Sequence, residues 1–198
     1  MATFIVTTEE DLKPIVENGL TLEQANADGV VSLREAVALA AANDLNARNA
    51  WLLSLRDDDP SNDLPEPDPS DDVIRFAPGI EAVRLTPRTS GSDEVADPLD
   101  TVNVLAGGLV IDGDADGDGL GDVTIDAQGR TSHFIIKNEV ELRNLTLANG
   151  RADFDEDSAQ KTLRGLDAAG SIFVTETSFS VPTVLTLDRV GFVGNQAY

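Results

Sequence analysis

One apolar spacing occurs twice in this chain, and the repeat restricts the fold more than any other feature. Val140-x-Leu142-x-x-Leu145-x-Leu147 leads into Asn149-Gly150, and Leu185-x-Leu187-x-x-Val190-x-Phe192 leads into Gly194-Asn195, an offset of 185 − 140 = 45 residues. Alternating apolar residues point to one face of a strand. The extra residue between the two pairs marks a bend between two short strands. The offset equals about two turns of a coil with ~20–25 residues each, within the periods that signal solenoids. In a parallel β-helix each turn repeats such a unit and stacks its inward side chains on the next. An antiparallel sandwich also has many short strands and is the alternative architecture.

The rest of the chain fits an all-β fold with one helix. Residues 3–7 read as a short strand. Ser32 with Glu35 three residues later forms a capping box. Leu33, Ala36, Val37 and Ala40 follow at helical spacing, which predicts a helix over 32–43. Residues 57–72 are acidic and proline-rich, a composition that blocks helix and inner strand and reads as a surface insertion. Strand-like pairs then follow: Ile74-x-Phe76, Val83-x-Leu85, Val102-x-Val104, Leu109 to Ile111, Val123-x-Ile125 and Phe134 to Ile136, with Pro78-Gly79 as a turn. The expected organisation is an N-terminal cap at 1–56, an acidic loop at 57–72, and the first turns of a right-handed parallel β-helix at 73–198.

Charge restricts the partners. Asp and Glu number 36 against 14 Lys and Arg, a net charge of −22. Such a surface repels nucleic acid and anionic lipid and attracts cations and basic groups. The chain has no cysteine, so disulfides, Fe–S clusters and thiol catalysis are excluded. No stretch reaches the ~20 apolar residues that cross a bilayer as a helix. Met1 to Asp11 lacks the basic and apolar regions of a secretory signal. The protein therefore stays inside, or its export uses a signal outside this chain, or a signal has been removed from it.

The sharpest chemical motif lies at 112–122, where Asp112-Gly113-Asp114-Ala115-Asp116-Gly117-Asp118-Gly119-Leu120-Gly121-Asp122 contains D-x-D-x-D-G-x-x-D. The motif is similar to the first nine positions of an EF-hand-like loop, a pattern also found in dockerin and thrombospondin type 3 repeats. The alternation turns Asp114, Asp116 and Asp118 toward one centre. Gly119 permits the sharp turn, Leu120 offers its carbonyl, and Asp122 binds directly or through water. Position 12 is Ile125 instead of a bidentate Glu, a place that Asp112 or Asp126 could fill. Calcium is the expected ligand, and a solvated acidic turn is the alternative. His133, the single histidine, belongs to no catalytic motif and reads as a surface residue at a strand edge. Trp51 is expected to pack the cap against the first strands. Asn149 and Asn195 read as turn residues first and asparagine-ladder members second, and Asn144-Leu145-Thr146 as a chance glycosylation sequon. Arg130 is a candidate base by proximity in sequence alone.

Ser32-Leu33-Arg34-Glu35-Ala36-Val37 resembles the SLREAI signature of the CSLREA domain, found at the start of bacterial surface β-helix proteins. Asp72 to Gly79 is similar to that family's DTIxFAPG strand, Leu109 to Gly113 to its LTIDG strand, and Val140 to Gly150 to its VxLxNLTLxNG turn. Val31 stands where the family usually has Cys, which leaves a packing role and no thiol role. The resemblance covers about residues 3–150, with a weaker turn at 183–196, and implies a cap followed by a pectate-lyase-like parallel β-helix in a large exported protein. It implies no catalytic residue. The expectation is a calcium-stabilised, non-enzymatic module, adhesin-like or structural, secreted or at a bacterial cell surface. Its partners would be a polysaccharide or surface ligand and further C-terminal turns of the same protein. The alternative is a polysaccharide lyase or glycoside hydrolase, since many acids offer carboxylate pairs.

Overall fold

A computed structural model describes residues 2–11, 29–54, 72–85, 88–90, 93–95, 99–100, 108–130, 132–137, 139–152, 170–174 and 183–197. The strands are β1 (Thr3–Val6), β2 (Asp72–Phe76), β3 (Ala82–Arg84), β4 (Arg88–Ser90), β5 (Asp93–Val95), β6 (Leu99–Asp100) and β7 (Leu109–Asp112). They continue with β8 (Val123–Asp126), β9 (Phe134–Ile136), β10 (Val140–Ala148), β11 (Arg151–Ala152), β12 (Ile172–Val174), β13 (Leu185–Val193) and β14 (Gln196–Ala197). One helix, α1 (Leu33–Ser54), lies between β1 and β2. The described chain is thus mostly β, with one helix.

Nearly all strand pairing is parallel. In the largest sheet β1 pairs β2, β2 pairs β7, β7 pairs the first half of β10, and β10 pairs β13 along its whole length. The second half of β10 pairs β8, which pairs β3. A second parallel group runs β6–β9–β12, and a third joins β11 to β14. Only β4 and β5 pair antiparallel among the described strands. The two copies of the repeated spacing are direct register partners, Val140 on Leu185 and Leu147 on Phe192. The 45-residue offset is therefore one step of stacking and not two. The reason is the traffic between them, since the chain passes through β11 and β12 before it returns as β13.

Register sets the core. Ile74, Ile111 and Leu142 are stacked partners, as are Val83, Ile125 and Leu147, and all six are buried. Inward residues alternate with outward ones, and a one-residue slip would turn the whole row to solvent.

Helix α1 packs against β1 and β2, at one edge of the main sheet. Ser32 and Glu35 bond reciprocally as a capping box: the Ser32 N–H donates to Glu35 Oε2 at 2.8 Å, and the Glu35 N–H to Ser32 Oγ at 3.2 Å. Leu33, Ala36, Val37 and Ala40 are buried in the same cluster as Phe4, Val6 and Ile74, and α1 rests on β1 and β2. The helix runs eleven residues past the expected end at Asn43, through Ser54, because no Gly or Pro interrupts it there. Arg34 ties the cap to the preceding segment. Its Nη2 and Nε lie 2.7 and 2.9 Å from the two carboxylate oxygens of Asp11, a buried pair in fork geometry. The side chain of Trp51, residues 57–71 of the acidic loop and Val102-x-Val104 lie outside the described residues; Asp72, the last residue expected in that loop, is instead buried and begins β2.

His133 is fully buried, contrary to the surface position expected for it. Its Nε2–H donates to the carbonyls of Ile125 (3.0 Å) and Ala148 (2.9 Å), and Ser171 Oγ lies 3.0 Å from Nδ1. One ring thus bonds the ends of β8 and β10 and the residue just before β12. The sequence concealed this because the anchoring partners are mostly backbone carbonyls, which leave no side-chain motif.

Ser32→Ala should lower stability by about 1 kcal/mol in thermal or urea melts, since it removes a cap that serves a buried amide. His133 supplies a second expectation. Burial is the largest influence on the imidazole and holds it below its ordinary value, against the opposing pull of the Ala148 and Ile125 carbonyls. The unfolded chain takes this proton near the ordinary value of 6.5, whereas the native chain resists it. Stability is therefore full above that value and falls as pH drops from 6.5 toward the lowered one. As the chain has one histidine, His133→Gln should flatten the melting temperature across that window. An equal slope in both proteins would contradict the assignment.

Candidate metal centre

The acidic loop grows from a bend in the main sheet. Strand β7 ends at Asp112 and β8 begins at Val123, yet the two pair with consecutive halves of the single strand β10. Residues 113–122 therefore stand where β10 has one residue, Asn144. That residue has φ 53°, and its counterpart in β13, Arg189, has φ 54°. Both are left-handed positions at which the strand turns a corner. The loop closes at its base, where the Asp122 N–H donates to the Gly113 carbonyl at 3.1 Å and the Gly113 N–H to the Arg143 carbonyl at 3.0 Å. Gly113 and Gly121 lie directly on the bend. A Cβ at Gly121 would come within 2.8 Å of the Asn144 carbonyl group, and one at Gly113 within 2.8 Å of Leu145 Cβ.

Aspartates shape the loop from within. Asp114 accepts from the amides of Gly117 (2.7 Å) and Gly119 (2.9 Å), Asp116 from Asp118 (3.0 Å), Asp118 from Leu120 (2.8 Å), and Asp122 from Ala115 (3.0 Å). Such side-chain-to-backbone bonds are a strong local preference of aspartate. They draw one carboxylate oxygen from each of Asp114, Asp116, Asp118 and Asp122 to within 4.8 Å of one another. The chemistry fits one hard cation. Calcium holds oxygens at 2.3–2.6 Å, so ligands on opposite sides of it lie about 4.6–5.2 Å apart. Asp114 is half-buried, while the other three are exposed, as is the side chain of Leu120.

Asp112, expected beside them, has another role. It is buried below the loop, where it accepts from Asn144 Nδ2 (2.9 Å), Arg143 Nη2 (3.0 Å) and the Asp114 amide (3.2 Å). Burial alone would raise its pKa, but these three bonds with the Arg143 charge outweigh it and hold the carboxyl below its ordinary value. Asp112 therefore secures the foot of the loop and stands outside the group of four. Asp126 also stands apart, at the far end of β8, accepting from Asn149 Nδ2 at 2.9 Å. Ile125, at loop position 12, is buried in the core.

Arg189 belongs to no recognisable motif. From β13 its Nη1 donates to the Gly119 carbonyl at 2.6 Å, 70 residues away, so one stacked strand holds the outer turn of the loop. The available signal was positional: Arg189 is the extra residue of its repeat, as Asn144 is of the first. Buried Asn144 also removes the sequon from glycosylation. Asn195 serves stacking as well, accepting from the Gly150 amide and donating to the Leu147 carbonyl at 2.9 Å. A separate open groove of about 340 Å³ lies beside the next turns and is lined by Asp126, Gln128, Asn149, Arg151 and Gln196.

Comparison of the chain with known protein families, curated proteins and solved structures finds no match. No described helix is long and apolar enough to cross a membrane.

Gly121→Ala should destabilise the protein by about 1–3 kcal/mol, as expected for overpacking against backbone that cannot yield. Urea unfolding of the two proteins measures it, and equal midpoints would show that the loop can lift off the bend.

Proposed function

We propose that this chain is a right-handed parallel β-helix module of an exported or cell-surface bacterial protein, non-enzymatic and stabilised by calcium at the Asp114–Asp122 loop. The observation that carries the functional part is the convergence of four carboxylates at one corner of a parallel sheet. Three features support the architecture: stacked parallel strands in three groups, bends in register at Asn144 and Arg189, and a helix against the edge strand β1. The resemblance of residues 32–37, 72–79 and 140–150 to the CSLREA domain supports the exported, surface-bound setting. In this reading calcium neutralises a local excess of charge in a chain of net −22 and fixes a loop that Arg189 ties to the next strand. The solenoid side then presents a face to a polysaccharide or another surface ligand.

A lyase or hydrolase would need several carboxylates, or carboxylates with a free arginine, around one cleft. The groove beside the turns offers a single carboxylate, Asp126, which already serves the Asn149 side chain and the Gln128 amide. On the sheet face Arg143 pairs with buried Asp112. These arrangements favour a structural use of both acids.

Without a Glu at position 12 the affinity should be weak, about 10⁻⁴–10⁻³ M, the range of extracellular modules. A melt in calcium at about 100 times the dissociation constant should show ~2.7 kcal/mol of added stability. Magnesium at equal ionic strength should do little, because it requires a smaller octahedral site and sheds water reluctantly. The response should vanish when Asp114→Asn and Asp118→Asn are combined. Equal effects of the two cations would reduce the loop to an acidic turn whose charges are screened by any salt.

A further inference from the structure

We propose that Asn149 is a site of spontaneous deamidation, held unreactive while the side chain of Asn195 occupies the Gly150 amide. The proposal goes beyond the calcium-stabilised reading. It rests only on contacts around the turn between β10 and β11, so it stands whether or not the acidic loop holds a cation. An asparagine followed by glycine is prone to this chemistry, because a residue without a Cβ leaves its own nitrogen open to attack. The pair occurs at Asn18-Gly19 and at Asn149-Gly150, and the second lies among the described residues.

The fold imposes this pair. A Cβ at Gly150 would collide with the Gly170 carbonyl and come within 2.8 Å of both Asn195 Oδ1 and His133 Cε1, so no larger residue fits. Asn149 has φ 55°, a left-handed position that asparagine adopts more readily than most residues. Its Nδ2 donates to Asp126 Oδ1 at 2.9 Å, which ties β10 to the end of β8. Packing at one residue and pairing at the other thus fix a reactive dipeptide in place.

The reaction needs a Gly150 nitrogen free of its proton. That nitrogen attacks Asn149 Cγ, the bond from Cγ to Nδ2 breaks, and ammonia leaves with a proton. The five-membered ring then takes up one water at either carbonyl, so an amide nitrogen is exchanged for oxygen overall. The products are aspartate and isoaspartate, the latter with its Cβ in the main chain. In the native fold the Gly150 N–H donates to Asn195 Oδ1 at 2.6 Å, and Asn195 Nδ2 is itself anchored on the Leu147 carbonyl at 2.9 Å. The Asn149 backbone is held from both sides, its N–H donating to the Val193 carbonyl at 2.9 Å and its carbonyl accepting from the Gly129 N–H at 2.7 Å. Conversion therefore requires the β13–β14 segment to lift from β10 and β11. Once made, the change is one-way: a carboxylate replaces the donor that faced Asp126, and repulsion stands where a hydrogen bond was.

Peptide-mapping mass spectrometry in mildly alkaline buffer, resolving Asn149 from Asn18, tests this. The native 198-residue chain should convert Asn149 far more slowly than the same chain in urea. Asn195→Ala should speed native conversion roughly fivefold, the gain expected when one hydrogen bond no longer opposes local opening, and leave the rate in urea unchanged. Amide exchange in β7 should stay at the parent rate, which separates local release from loss of the fold. Asn149→Asp should raise the unfolded-to-folded ratio roughly fivefold at fixed urea, and adding Asp126→Asn should restore most of it by reversing donor and acceptor. Equal native and urea rates, an unchanged rate in Asn195→Ala, or an equal acceleration in β7 overturns the protection by Asn195. Failure of the Asp126→Asn rescue overturns the one-way consequence. Absence of conversion at Asn149 in urea removes the site altogether.

Discussion

Parallel hydrogen bonding between strands distant in sequence is the constraint on which the rest depends. Parallel neighbours cannot be joined by a tight hairpin, so each strand must be reached by a long crossover. In this chain the crossovers carry the secondary groups of strands, the acidic loop and, between β1 and β2, the helix. Consecutive layers then place like on like: isoleucine over isoleucine at Ile74 and Ile111, leucine over leucine at Leu142 and Leu187. The core is a set of columns, and each column is only as well buried as the layers at its two ends allow.

The edges and corners therefore receive most of the specific chemistry. At one edge of the main sheet a serine, a glutamate and an arginine position α1 so that four small or branched side chains join the core. At the corner, left-handed residues turn the strands, and Asp112 satisfies the Asn144 amide within the bend. The match is incomplete, since Asn144 Oδ1 and Arg143 Nε are buried there without a hydrogen-bond partner among the described residues, against the general rule for buried polar groups. His133 follows that rule at another corner, with three partners drawn from separate segments.

Much of this was readable before any coordinates. The capping box declared itself through Ser32 and Glu35, and the inward row through the alternation in residues 140–147 and 185–192, because both depend on spacing along one segment. The four aspartates of the loop were legible for the same reason. Contacts between layers were harder. Nothing near Arg189 in sequence points to Gly119, and nothing near Asp112 distinguishes a buried acid bonded to Asn144 from another loop ligand. The number of residues per layer also escaped, since a parallel stack fixes the register of its strands and leaves the length of each crossover free. His133 was misplaced because a polar residue among Thr131, Ser132 and Phe134 resembles a strand edge until its carbonyl partners are known.

The pairing of β7 and β8 with two halves of one strand has a consequence for how such a chain can change. The residues between Gly113 and Asp122 leave the sheet and return to it one backbone step further on, anchored at both feet by the neighbouring layer. Their number is invisible to the register of every other strand. The corner is thus a socket: a lineage or an engineer can lengthen, shorten or exchange what it holds, and the scaffold beneath keeps its alignment.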